Sequence, residues 1–294
     1  MSKARALGSG DAFMAIAVLA WGVNFPVAKM VLGEMPPMVF SATRYFAAAL
    51  FLFSLVLLRG DRLAIDRKEA VQLAGLGLLG IAMFQGCWAY GLNLTTASKA
   101  SILVSTTPLF GAFISGFLGQ WPSGKGWFGI VISLLGVVLI VNNSLTEITV
   151  GGGTLAGDIM ILGAAALWAI YTSISAPMLR KRGPLLVTAW GMFFGAIILW
   201  GVALPEAISL DWGTISAKGW AGLCFTAIFG AALGFFWYYA GVVRLGLTRG
   251  MIYAYLIPVI AVITATLFFG ETISLIQIAG AVVVLGGIAL TRTS

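Results

Sequence analysis

Histidine is absent from this sequence, so acid–base, nucleophilic or metal chemistry would have to come from carboxylates, hydroxyls, thiols or amines. Serine-hydrolase chemistry and most zinc chemistry lose their usual partner at once. Both cysteines, Cys87 and Cys224, fall in apolar stretches, where a thiol acts as a small hydrophobe, and no CxxC occurs. One catalytic pattern is left: GSGD at 8–11, a GxGD arrangement that would supply half of an aspartyl dyad, with Asp158 as its candidate partner. The remaining residues of interest suit binding. Trp21 with Asn24 and Trp168 with Tyr171 each place a hydrogen-bonding group three residues after an indole, on nearly the same helical face. Phe84 and Trp88 fall at helical spacing between Gly80 and Gly91, and Tyr238 falls between Gly234 and Gly241. Ser101, Ser105, Tyr253 and Tyr255 lie within two turns of Pro108 and Pro258.

Membrane helices must position these residues. The chain is 60% hydrophobic and 9% charged, against roughly a quarter charged in a soluble domain. Apolar segments fall near 12–32, 38–58, 70–92, 100–119, 127–142, 158–178, 186–204, 219–241, 250–269 and 273–290, each close to the ~20 residues that cross a bilayer. The net charge of +7 does not indicate nucleic acid, because the basic residues form no continuous face. They sort by loop instead. Lys3, Arg5, Arg59, Arg62, Arg67, Lys68, Lys125, Arg180, Lys181, Arg182, Arg244, Arg249 and Arg292 would lie on one side, and only Lys99 and Lys218 on the other. The positive-inside tendency then predicts both termini in the cytoplasm of a bacterial inner membrane. Lys3 and Arg5 before an apolar run resemble a signal peptide, but the run is read as the first span because it lacks a good small-residue cleavage site.

The chain also aligns on itself. A shift of 147 pairs Asp11 with Asp158, Trp21 with Trp168 and Pro37 with Pro184; a shift of 150 pairs Gly80 with Gly230, Gly91 with Gly241 and Pro108 with Pro258. The expected fold is all-α and integral to the membrane, ten helices as two repeats, 1–147 and 148–294. Five helices per repeat is odd, so the copies must be inverted and related by a two-fold axis in the membrane plane. Inversion puts Asp11 and Asp158 near opposite surfaces, about 30 Å apart. An aspartyl dyad must share a proton, so this geometry argues against it.

The stretches LAWGVNFPVAK (19–29), ATRYFAAAL (42–50), YGLNLTTASKASILVSTTPLFGAFISGFLG (90–119) and the segment 238–290 resemble the EamA-type family of the drug/metabolite transporter superfamily. The resemblance implies a ten-helix exporter of small metabolites such as amino acids, most like the aromatic-amino-acid exporters, with no cofactor and no catalytic residue. Tyr90, heading one matching stretch, joins the candidate cavity residues. The family arginine of the second helix corresponds to Arg44, yet the second repeat has Gly191 there. The family glutamate after the ninth helix corresponds to Glu271, yet the first repeat has Gln120.

A charge at mid-membrane costs a few kcal/mol or more, so Arg44 and Lys29, each a turn or two from the outer surface, are expected to snorkel and to serve structure or gating. Pro108 and Pro258 free the carbonyls of Val104 and Ala254 and permit kinks, and Glu271 is a candidate for pairing with a base at the outer end of its helix. For Trp88 and Tyr238 plain packing is the competing reading. The expected partners are lipid and a small-molecule substrate, and a site enclosed by one chain allows a monomeric unit. Other metabolites, drugs or a passive channel are the alternatives.

Overall fold

The computed structural model describes residues 8–94, 100, 103–117, 119, 121–142, 155–269 and 274–292. Ser101, Glu271, Lys99, Gln120 and the repeat boundary at 147/148 lie outside the described residues. The described residues are almost wholly helical: α1 (Ser9–Leu32), α2 (Pro37–Leu58), α3 (Arg67–Leu94), α4 (Thr107–Phe117), α5 (Gly124–Asn142), α6 (Leu155–Arg182), α7 (Pro184–Ser209), α8 (Ala217–Leu245), α9 and α10 (Leu275–Arg292). Helix α9 has three pieces: Leu247–Ile252, a 3-10 turn Tyr253–Tyr255, and Leu256–Phe269. Six helices are long and apolar enough to cross a bilayer, and α4, α5, α9 and α10 are shorter apolar helices. Leu58, Phe117, Leu155 and Ile208 are exposed while Asn24, Arg44 and Gln85 are buried, the polarity expected when the solvent is hydrocarbon.

Local chemistry sets the helix ends. Pro37 and Pro184, the pair expected from the repeat, each occupy the first turn of their helix, where a missing N–H costs nothing. Gly183 (φ 80°) alone separates α6 from α7, and Gly246 (φ 85°) alone separates α8 from α9. Both use the left-handed conformation that a side chain would disfavour. Asp66 and Glu69 form a capping box at the start of α3. That cap carries the helix out to Arg67, three residues beyond the expected span.

The inversion is visible in the packing. The most extensive contacts are α5 with α10, α1 with α8, α2 with α7, α3 with α6 and α3 with α7, followed by α1 with α9, α2 with α8 and α4 with α6. Exchanging the two halves maps every one of these pairings onto itself or onto another of the set. Direction follows from side-chain contacts. Lys29 near the end of α1 donates to Leu92 O near the end of α3 (2.9 Å), so α1 and α3 run in parallel. A Cβ on Gly91, at the end of α3, would meet Ile161 and Gly157 O at the start of α6, so α6 runs against α3 and therefore against α1. The equivalent contact recurs at Gly241, whose Cβ would meet Met14 and Gly10 O. Asp11 accordingly lies at the end of the bundle opposite to Asp158. It accepts from Tyr253 Oη and from Gly8 N–H (2.9 Å).

Between lipid-solvated helices the attraction comes mainly from close van der Waals packing, because apolar contact with lipid is as good as contact with protein. Glycine seams supply it. A Cβ on Gly80 would stand 2.1 Å from the Tyr171 ring, and one on Gly230 would stand 2.1 Å from Asn24 Oδ1. Asn24 and Tyr171 are themselves a repeat pair. A smaller core of Ala112, Ile130, Ile252, Tyr255 and Val284 joins α4, α5, α9 and α10 at one side of the main core.

Candidate functional site

Between the halves is a cavity of about 70 Å³, smaller than the ~300–1,000 Å³ of open small-molecule sites. Its wall is largely aromatic: Trp21 and Phe25 of α1, Phe84 and Trp88 of α3, Trp168 of α6 and Phe235 of α8. The rings lock one another in place. Trp21 meets Trp168 edge to face at 5.6 Å between centroids, Trp168 meets Phe235 at 4.8 Å, and Phe25 meets Trp88 at 5.6 Å. Such pairs add roughly 0.5–1.5 kcal/mol each beyond their burial. Val104, just before α4, and Thr107 at its start line the cavity together with Ala254 and Ile257 of α9, and both pairings match the 150-residue shift.

Two helices widen beside this cavity. Leu78–Met83 in α3 and Thr226–Leu233 in α8 are π-helical, a geometry that tilts carbonyls away from the helix and clusters at functional sites. In α8 those carbonyls are used. Trp21 Nε1–H donates to Gly230 O at 2.9 Å, and Arg44 Nε–H donates to Thr226 O at 3.1 Å. Gly80 and Gly230, a repeat pair, lie within these π turns.

The prolines of α4 and α9 sit at interruptions. The chain turns at Ser105–Thr106, just before α4 and Pro108, and α9 takes its 3-10 turn before Pro258. The freed Val104 carbonyl accepts from Thr107 Oγ1 at 2.7 Å, and Leu103 O accepts from Thr106 Oγ1 at 2.6 Å. The Thr107 hydroxyl thus replaces the one bond that the missing Pro108 N–H forbids. Val104 and Ala254, the residues with freed carbonyls, are cavity-wall residues.

Of the residues expected from sequence to line a cavity, Trp21, Asn24, Phe84, Trp88 and Trp168 are brought together here. Tyr238 lies one layer behind, 5.0 Å from Trp21 and 5.4 Å from Trp168. Tyr171 also sits behind the wall, where the missing side chain of Gly80 makes room for its ring. Four others lie off the wall. Tyr90 donates to Glu206 at 3.3 Å, joining α3 to α7. Ser105 is buried in the turn just before α4. Tyr253 is held by Asp11, and Tyr255, two residues on and so on nearly the opposite helix face, packs into the smaller core.

The expectation for Arg44 is corrected. It does not snorkel; it is 3% exposed, lines the cavity, and has its guanidinium carbon 5.2 Å from the Tyr45 ring centre and 6.0 Å from that of Trp88. The Thr226 carbonyl anchors it inward. Lys29, expected to snorkel, instead spends its ammonium on Leu92 O. Phe25, Tyr45, Gln85 and Phe235 were missed. Gln85, a lone amide in an apolar helix, was the legible signal; it donates to Tyr45 Oη.

A two-fold bundle of membrane helices around a central aromatic cavity defines a membrane transporter in architecture. The chain belongs to the EamA-like transporter family, whose profile matches residues 8–142 and 155–293. It is 28% identical to the uncharacterized transporter YyaM of Bacillus subtilis (strain 168), over 91% of this chain and 88% of that one. It is 27% identical to an uncharacterized transporter of Archaeoglobus fulgidus, over 94% and 95%. To the uncharacterized inner membrane transporter YedA of Escherichia coli (strain K12) it is 28% identical, over 88% and 82%. One crystal structure superposes with a TM-score of 0.78 over 96% of each chain at 19% identity, a likeness of fold.

Proposed function

We propose that this transporter exports amino acids with aromatic or other large apolar side chains by alternating access, from the cytoplasm across a bacterial inner membrane. The observation that carries this reading is the aromatic cavity between the two repeats, with amide and guanidinium groups set into a wall of indole and phenyl rings. Trp21, Phe84, Trp88 and Trp168 would contact the apolar side chain, with Tyr171 and Tyr238 holding them from behind. The chain divides into repeats at 1–147 and 148–294, and the paired breaks before Pro108 and Pro258 are the flexing points, since each faces the cavity at an equivalent position. The loop charges support cytoplasmic termini.

Purified protein in proteoliposomes tests this. Saturable L-phenylalanine or L-tryptophan uptake that is accelerated by internal substrate is expected, and Trp21→Ala or Trp168→Ala should reduce it with folded protein retained. Unsaturable flux without counter-transport would indicate a channel and end the carrier reading. Cysteines introduced at Arg62 and Lys218 should label from opposite faces in whole cells and inverted vesicles; labelling from the same face overturns the topology.

A further inference from the structure

The cavity wall is chemically lopsided in a way the repeat does not require. Its polar side chains, Asn24, Arg44, Tyr45, Gln85 and Thr107, all belong to the first half; Trp168, Phe235, Ala254 and Ile257, the second-half wall, carry no charge and no amide or hydroxyl. The repeat register shows what replaced the polar groups. Arg44 corresponds to Gly191, Tyr45 to Met192, Gln85 to Phe235 and Thr107 to Ile257. At Gly191 the cation's place holds no side chain, and a Cβ there would meet only Tyr171 Oη, at 3.7 Å. The arginine therefore exists on one side only.

Three polar atoms on that side are buried without a hydrogen-bond partner: Arg44 Nη1, Asn24 Oδ1 and Gln85 Oε1. Buried polar atoms are ordinarily satisfied, and an orphaned charged donor is the costliest kind. Among the described residues the wall holds one cation and no acid. A ligand that satisfies it carries one negative charge in a form that accepts from a guanidinium, together with donors for two carbonyl oxygens.

We infer that Arg44 is the anchor for a substrate carboxylate, with the carbonyl oxygens of Asn24 and Gln85 receiving the substrate ammonium, so that the charged head travels with the first repeat and the apolar side chain faces the second. The inference rests on the amino-acid reading above and deepens it. A monocarboxylate neutralises the site; a dianionic phosphate would leave excess negative charge in a cavity with no second base among its described residues. The ammonium adds bonds but is not what the lone cation selects.

Direct binding to the full chain in nanodiscs, read by tryptophan fluorescence, tests this with three probes. L-phenylalanine and 3-phenylpropionate should bind, and phenethylamine, which offers only a cation to a cation, should bind ~10-fold more weakly or worse. Arg44→Met should abolish that preference while keeping its melting temperature, because the residue removed is a desolvated charge with an unmet donor. Arg44→Lys, which keeps the charge but not the fork, should retain a reduced preference and serves if the methionine variant does not fold. Phenethylamine binding as well as phenylpropionate, or a preference unchanged in the variants, overturns the anchor while leaving amino-acid export standing. Phenylpropionate binding without phenylalanine supports the anchor and overturns the amino-acid reading. Binding of none of the three overturns both.

Discussion

Adding one methyl group at Gly80 or at Gly230 should have different consequences, although the repeat makes the positions equivalent. A Cβ at Gly80 falls 2.1–2.3 Å from three atoms of the Tyr171 ring, which is 1% exposed. An ordinary contact begins near 3.4 Å, so the ring or the helix must retreat by more than 1 Å into packed surroundings. Overpacking of this kind costs about 1–3 kcal/mol or more, and Gly80→Ala should melt roughly 5–10 °C below the parent in a detergent thermal-shift assay. At Gly230 the obstacle is Asn24 Oδ1 at 2.1 Å, with Arg44 Nη2 at 3.2 Å. A short side chain beside a cavity can swing away, so Gly230→Ala should lose less stability but displace Asn24 and weaken substrate binding by about tenfold, the equivalent of ~1.4 kcal/mol. Gly163→Ala is the control: its Cβ meets nothing within 4 Å, and alanine's helix preference should leave the melting temperature unchanged or slightly raised. If Gly80→Ala and Gly163→Ala melt alike, the α3–α6 seam is not where the structure puts it.

Further perturbations probe the ties between halves. Tyr253→Phe removes a donor to buried Asp11 and should cost about 1–3 kcal/mol. Because the repeat counterpart of Tyr253 is Leu103, which has no hydroxyl, the variant should raise labelling of an introduced cysteine near residue 10; unchanged labelling would show that this bond does not hold that end shut. Glu69→Gln weakens the pairing of Glu69 with Arg182 (2.6 Å) and Lys181 (2.9 Å) that ties the start of α3 to the end of α6. It should lower the melting temperature at low salt more than at high salt, since the two bases are partly exposed and screened; equal loss at both would point to capping alone. Thr107→Val leaves the Val104 carbonyl without its hydroxyl partner and should destabilise the protein by about 1 kcal/mol, whereas an unshifted melting curve would mean another group satisfies that carbonyl.

The amino-acid sequence by itself determined the ten apolar segments, the repeat and its inversion. Hydrophobic length and an odd helix count are properties of the chain and its solvent, and neither needs a contact map. The pairing of Trp21 with Trp168, the glycine seams at Gly80 and Gly230, and the breaks before Pro108 and Pro258 were legible for the same reason, because register carries equivalent residues to equivalent places. Tertiary structure alone decided which way side chains turn. Arg44 near a helix end reads as a snorkelling cation until the widened turn of α8 offers it the Thr226 carbonyl. Tyr255, two residues from Tyr253 and so on nearly the opposite face of the helix, packs into the smaller core that α4, α5 and α10 close around that face. The one-sided polarity of the cavity also waited on the fold. Repeat arithmetic gives each residue a counterpart, but only the packed helices show which members of each pair face the space between them.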